Sequence, residues 1–205
     1  ADFGVSAHQF DVAERGFSTR FEADLDMRMN QDSKLSAFEV VNTYSEEQLR
    51  DVLLQYGELR QAPAMARVIV AERAAGEIKT SQKLKSVLKQ FLQHKKENKV
   101  LAQIYQAIRI EVNQEIEALK ELLSQTPEIL KKGGRLSFIS YHSLEDRLVK
   151  RFIRNGLFEG EPERDVFGNF EVPLKKVGKL IVPSFAEIKK NNRARSAKLR
   201  IAEKI

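Results

Sequence analysis

The stretch from Gly133 to Gly156 limits the fold more than any other part of the chain. Gly133-Gly134 stops the helix before it, and Arg135–Ser140 is a short run able to bury itself as a strand. Ser143-Leu144-Glu145-Asp146 then opens a helix whose apolar positions, Leu148, Val149, Phe152 and Ile153, recur three and four residues apart. Helix, strand and helix in succession are the pattern of an open α/β sheet, so a helix-to-parallel-strand connection is expected here. Two more strands are predicted, around 178–182 and 196–203, with a short helix opened by Pro183-Ser184 and running through Ile188 between them. The acidic, glycine-containing stretch from Leu157 to Phe170 reads as a mobile loop.

Upstream the pattern is helical. Ser45-Glu46-Glu47-Gln48 is a cap signal, and Leu49, Val52, Leu53 and Tyr56 carry a helix to Gly57. A second helix is predicted from about Pro63 to Ala75, stopping at Gly76. A third, capped by Thr80 or Ser81, places Leu84, Val87, Leu88 and Phe91 on one side before the polar run from His94 to Lys99. From Val100 one longer helix runs to about Ser124, followed by a short helical turn after Pro127. Asp2 to about Asn42 reads as a strand end and then a long ordered loop. The partition that follows is 1–43 as the first part of an α/β core, 44–104 as an inserted helical domain, and 105–205 as the second part of the core. Ala1 is not an initiator Met, and ADFGV reads like the end of a strand that begins upstream, so the sheet is expected to be incomplete at its N-terminal side.

Composition removes several chemistries. The chain has no Cys, which excludes a disulfide framework, a thiolate metal site and a cysteine nucleophile. His8 and His94 are too isolated to suggest a metal centre. No run approaches the roughly 20 apolar residues that span a bilayer, so no membrane partner and a soluble, cytoplasmic protein are expected. The net charge of +6 is unevenly placed. Residues 1–43 are acidic, whereas residues 131–205 hold twice as many Lys and Arg as Asp and Glu, clustered at Lys175-Lys176-Lys179, Lys189-Lys190 and Arg193-Arg195-Lys198-Arg200. That surplus suits a polyanion such as nucleic acid, and a solvated face is the plainer explanation.

Four ordered segments carry a more specific likeness: Asp2–Asn30 (DFGVSAHQFDVAERGFSTRFEADLDMRMN), Tyr105–Leu119 (YQAIRIEVNQEIEAL), Gly133–Phe152 (GGRLSFISYHSLEDRLVKRF) and Asn192–Ile205 (NRARSAKLRIAEKI). With them the chain resembles the MraW/RsmH methyltransferases, which use S-adenosylmethionine to methylate the exocyclic amine of a cytidine in the RNA of the small ribosomal subunit. The resemblance implies a Rossmann-like class I methyltransferase sheet with an inserted all-α domain. It implies S-adenosyl-L-methionine as cofactor, with Asp2 and Gln9 contacting it, and 16S ribosomal RNA as partner. The family's Gly-rich cofactor loop is not in this chain, and Gln61–Ala66 and Ala102–Ile104 depart from a pattern usually richer in Arg, Lys and Thr.

Methyl transfer to a cytosine amine needs an acceptor for the amine proton, because that lone pair is delocalised into the ring. Ser6, His142 and Glu145 are the candidates, with a hydrogen-bonded structural histidine as the alternative for His142 and helix capping as the role of Ser143 and Asp146. Phe10, Phe17, Phe21 and Tyr141 are candidate stacking surfaces for a flipped base, with core packing as the alternative. Arg15, Arg193 and Arg195 are candidate phosphate contacts, as are Arg20 and Arg28. Ion pairs to Glu14, Glu22 and Asp26 compete for Arg15, Arg20 and Arg28. A homodimer is a further expected partner. Two other readings stand beside this one: an RNA-binding or assembly fragment that keeps the fold without catalysis, and a related small-molecule or DNA methyltransferase.

Overall fold

Capping side chains set where several of the helices between Val5 and Glu115 begin. Ser6, Ser36 and Ser45 each accept a hydrogen bond from a first-turn N–H, while Gln9, Glu39 and Gln48 accept one from the cap's own N–H. These three boxes open α1 (Ala7–Asp11), α2 (Ala37–Thr43) and α3 (Glu46–Gln55). In α4 (Ala62–Ala75) a proline sits in the first turn, where its missing N–H costs nothing, and Thr80 caps α5 (Ser81–Val87). The computed structural model describes residues 1–93 and 96–205, so His94 and Lys95, with their part of the basic run, lie outside the described residues. α6 (Glu97–Asn113) completes this unit, whose core includes Leu49, Leu53, Met65, Ile69, Ile104 and Ile108.

α1 and α2 correct the reading of 2–42 as strand end and loop alone. What lies between them is ordered by side chains that reach the backbone. Arg15 donates to the carbonyls of Arg28 and Met29 at 2.6 and 3.2 Å, and Arg28 pairs with Asp26 at 2.9 Å. The Asn113 amide donates to Met27 O at 2.7 Å and accepts from Met29 N–H at 2.6 Å. Replacing Ser45 with alanine removes an exposed cap without opening a cavity, and the expected loss is about 1 kcal/mol in urea unfolding. An unchanged midpoint would mean that Gln48 alone holds the helix start.

The second unit comprises Ala1–Gly4 and Ile116–Ile205. The single long helix expected from Val100 is two, α6 and α7 (Glu115–Ile129), because Gln114 takes the left-handed conformation at φ 48° and ψ 42°. Pro127 lies inside α7 instead of starting a new turn. Proline has no N–H for the carbonyl of Leu123, and the Thr126 hydroxyl donates to that carbonyl at 2.7 Å.

β1 (Arg135–Ser140), α8 (Ser143–Asn155), β2 (Leu174–Ile181), α9 (Phe185–Lys190) and β3 (Lys198–Lys204) follow. The sheet order is β1-β3-β2, with β3 antiparallel to both neighbours, Phe138 opposite Arg200 and Val177 opposite Ile201. The expected parallel pairing is thereby corrected. β1 and β2 point the same way with α8 between them, but β3 occupies the space between. The link from β2 to β3 makes this the easy solution: α9 buries no residue and does not cross the sheet, so the strand returns beside the one it left. Parallel pairing does occur where Asp2 bridges Ile139, with Phe3 N–H on Ile139 O at 3.1 Å. Leu119 and Leu123 of α7, Phe138 of β1, Val149 and Phe152 of α8, and Ala202 of β3 share the core of this unit. No helix among the described residues is long and apolar enough to cross a membrane.

Candidate active site

The site grows out of the turn between β1 and α8. β1 ends at Ser140, α8 starts at Ser143, and Tyr141 and His142 occupy the turn. The buried Glu145 side chain folds back over it, accepting hydrogen bonds from Tyr141 N–H at 2.9 Å and His142 N–H at 3.4 Å. His142 is the N-cap of α8, its Nδ1 standing 3.5 Å from Glu145 N. The cap is therefore one residue earlier than Ser143, since the imidazole supplies the acceptor that a hydroxyl usually does. Asp146 does not cap either. It leaves the helix to receive Arg200 in a two-pronged contact at 2.7 and 3.1 Å and Lys198 at 3.2 Å, tying the first turn of α8 to β3.

Asp2 reaches this turn from the segment lying along β1. Its exposed carboxylate accepts a hydrogen bond from the Tyr141 hydroxyl. Burial, the Asp2 charge and that hydrogen bond together push the phenol above its ordinary value, so Tyr141 remains a donor at neutral pH. Burial alone would raise Glu145, yet contact with His142 and the two backbone N–H groups outweigh it and hold the carboxyl below its ordinary value. Burial likewise opposes ionisation of Asp146, but Arg200 and Lys198 prevail and its carboxyl is lowered. His142 Nε2 lies 3.1 Å from Glu145 Oε1, out of line for a hydrogen bond, and among the described residues this buried polar atom has no aligned partner.

Asp2, His142 and Glu145 thus share one unit and meet through Tyr141. Ser6 and Gln9 belong to the other unit, where they serve each other: Ser6 Oγ accepts from Gln9 N–H at 3.2 Å and Gln9 Oε1 from Ser6 N–H at 2.9 Å. The Arg15 guanidinium is engaged by the loop carbonyls described above and lies 5.7 Å from the Phe17 ring. Arg193 and Arg195 are exposed on the 3-10 turn Asn192–Ser196. Among the proposed stacking aromatics, Phe17 is core and Phe10 packs against the same core, whereas Phe21 and Tyr141 stay exposed. The anchoring of Asp146 was missed from sequence. Its signal was available, because Lys198 and Arg200 are two apart on a strand and so share a face.

The cluster can do two things. An exposed carboxylate steadied by a phenol can bind a cationic or hydroxyl-bearing ligand. An imidazole beside a fixed carboxylate can take a proton, with its positive charge offset by Glu145.

Comparison with known proteins gives this geometry its family. The family model described as "MraW methylase family" matches residues 1–205. A protein of Flavobacterium johnsoniae named "Ribosomal RNA small subunit methyltransferase H" is 68% identical over 205 residues, covering all of this chain and 68% of that protein. A protein of the same name from Flavobacterium psychrophilum is 64% identical over 204 residues, covering 100% of this chain and 70% of its own length. One from Bacteroides thetaiotaomicron is 52% identical over 205 residues, again covering all of this chain and 67% of its own length. By full-length match and by identity, the chain belongs to the MraW methylase family.

Proposed function

We propose that this chain serves an S-adenosylmethionine-dependent methyltransferase acting on the exocyclic amine of a cytidine in the 16S RNA of the small ribosomal subunit, in the cytoplasm. The observation that carries this reading is the Asp2–Tyr141–Glu145–His142 cluster at the C-terminal end of β1, the end at which open α/β sheets bind ligands. Two strands of one direction joined through α8, with β3 reversed between them, support a Rossmann-like class I sheet. On this reading 44–104 is the inserted helical domain and 1–43 with 105–205 the core.

Asp2 would hold the cofactor. The negative, exposed carboxylate of Asp2 suits a cationic ligand. When bound, S-adenosylmethionine supplies an electrophilic methyl group on a sulfonium. The residues of the chain then have to orient the amine and remove its proton. Glu145, held ionised below its ordinary value, is a weak base and a strong neighbour for a protonated imidazole, so His142 takes the proton at Nδ1, giving up its contact with Glu145 N–H, and Glu145 positions the ring. Arg193 and Arg195 contact phosphate.

The test is transfer of a labelled methyl group from S-adenosylmethionine to small ribosomal subunits, naked ribosomal RNA and DNA. Incorporation into cytidine of the subunit RNA is expected. The second reading is a catalytically incompetent RNA-binding or assembly fragment of the same fold. Salt-dependent RNA binding without saturable cofactor binding would establish it in place of the first.

A further inference from the structure

The link between β2 and β3 carries an apolar surface that folding does not use. β2 is an edge strand whose register breaks between Val177 and Ile181, and beyond the break Ile181, Val182 and Phe185 are 50%, 58% and 84% exposed. α9 and the 3-10 turn after it bury no residue. An aromatic ring this exposed contributes almost nothing to the core, and three apolar side chains close in sequence on such a surface point to an occupant from outside.

The charges near Phe185 in the sequence choose that occupant. Lys179, Lys189, Lys190, Arg193 and Arg195 flank Phe185, against the single acid Glu187 between Lys179 and Arg195. Lysine is depleted in protein–protein interfaces, whereas cations bordering an exposed aromatic are what a single-stranded nucleic acid uses, phosphates on the cations and a base on the ring. We propose that Phe185 is a stacking platform for an unpaired base of the RNA substrate, with the cations of 179–195 holding the adjoining backbone. This inference rests on the RNA reading above and assigns a ring outside the Asp2–Tyr141 site.

The sequence contains no Trp, so Phe185→Trp introduces a lone reporter at the contact. A labelled single-stranded RNA of about ten nucleotides, within the site sizes such surfaces cover, is titrated against the native chain and its variants. Phe185→Ala is expected to weaken binding about tenfold with an unchanged salt slope, since no charge is removed, and Phe185→Tyr to restore it. Emission of the Phe185→Trp chain is expected to be quenched as RNA is added. If the native chain binds RNA while Phe185→Ala binds equally well and the Phe185→Trp emission stays constant, the platform is overturned and the RNA reading stands. If the native chain binds no RNA, both fall. If Phe185→Ala leaves RNA affinity intact but dissolves a dimer, the surface is a contact between copies and the platform is likewise overturned.

Discussion

Asp146→Ala is expected to destabilise the unit holding the sheet by about 3 kcal/mol, the low end of what breaking a buried ion pair costs. The size follows from the environment: the acid's side chain is 10% exposed and that of Arg200 15%. Removing the carboxylate leaves a guanidinium in place without the two-pronged partner that offset its desolvation. Lys198 is 37% exposed and can return to water, so its share is small. Denaturant unfolding gives the total, and hydrogen exchange at the amides of α8 and β3 shows where the loss lies. The effect also has a pH signature. The folded carboxyl titrates below its ordinary value, so its contribution is fully present above the unfolded value and disappears as pH falls through the folded one. The native chain should therefore lose stability below about pH 4 more steeply than Asp146→Ala. A loss well under 1 kcal/mol, with parallel acid limbs, would show that the pair behaves like an exposed one.

How far the sequence could be read depended on whether a local signal or a distant partner decided each element. α3, α8 and β1 were legible because cap, apolar spacing and glycine stop coincide at Ser45, His142–Ser143 and Gly133-Gly134. α1 and α2 carry equally clear boxes, Ser6 with Gln9 and Ser36 with Glu39, but each helix is short and presents too few apolar positions for periodicity to register. The break at Gln114 has no sequence mark, since left-handed backbone is announced by glycine or asparagine and here falls on glutamine. The direction of β3 was beyond local reading: Lys198–Lys204 looks the same in either orientation, and pairing with β1 and β2 decides it. Similarly, Asp2, His142 and Glu145 were found as residue types in motifs, whereas the Tyr141 hydroxyl that joins Asp2 to the turn is a contact between residues 139 apart.

That hydroxyl separates two roles of Asp2, charge and placement. Asp2→Asn keeps an oxygen for Tyr141 and removes the negative charge, and it should weaken binding of S-adenosylmethionine by ten- to a hundredfold, the range for hydrogen bonds that involve a charged group. Tyr141→Phe keeps the charge and releases the carboxylate from the Tyr141 hydroxyl. Because Asp2 is exposed and water can replace the hydroxyl, the loss there should stay below tenfold. The phenol's raised value means that Tyr141 does not change charge near neutrality, so neither variant should add a pH dependence between about pH 6 and 9. Calorimetric titration of the cofactor into the native polypeptide and both variants measures this. Equal losses in the two would mean that Asp2 acts through its position alone, and no loss in Asp2→Asn would remove the carboxylate from the cofactor site. The predicted ordering, a large loss without the charge and a small one without the tether, is what a carboxylate facing a cationic ligand requires.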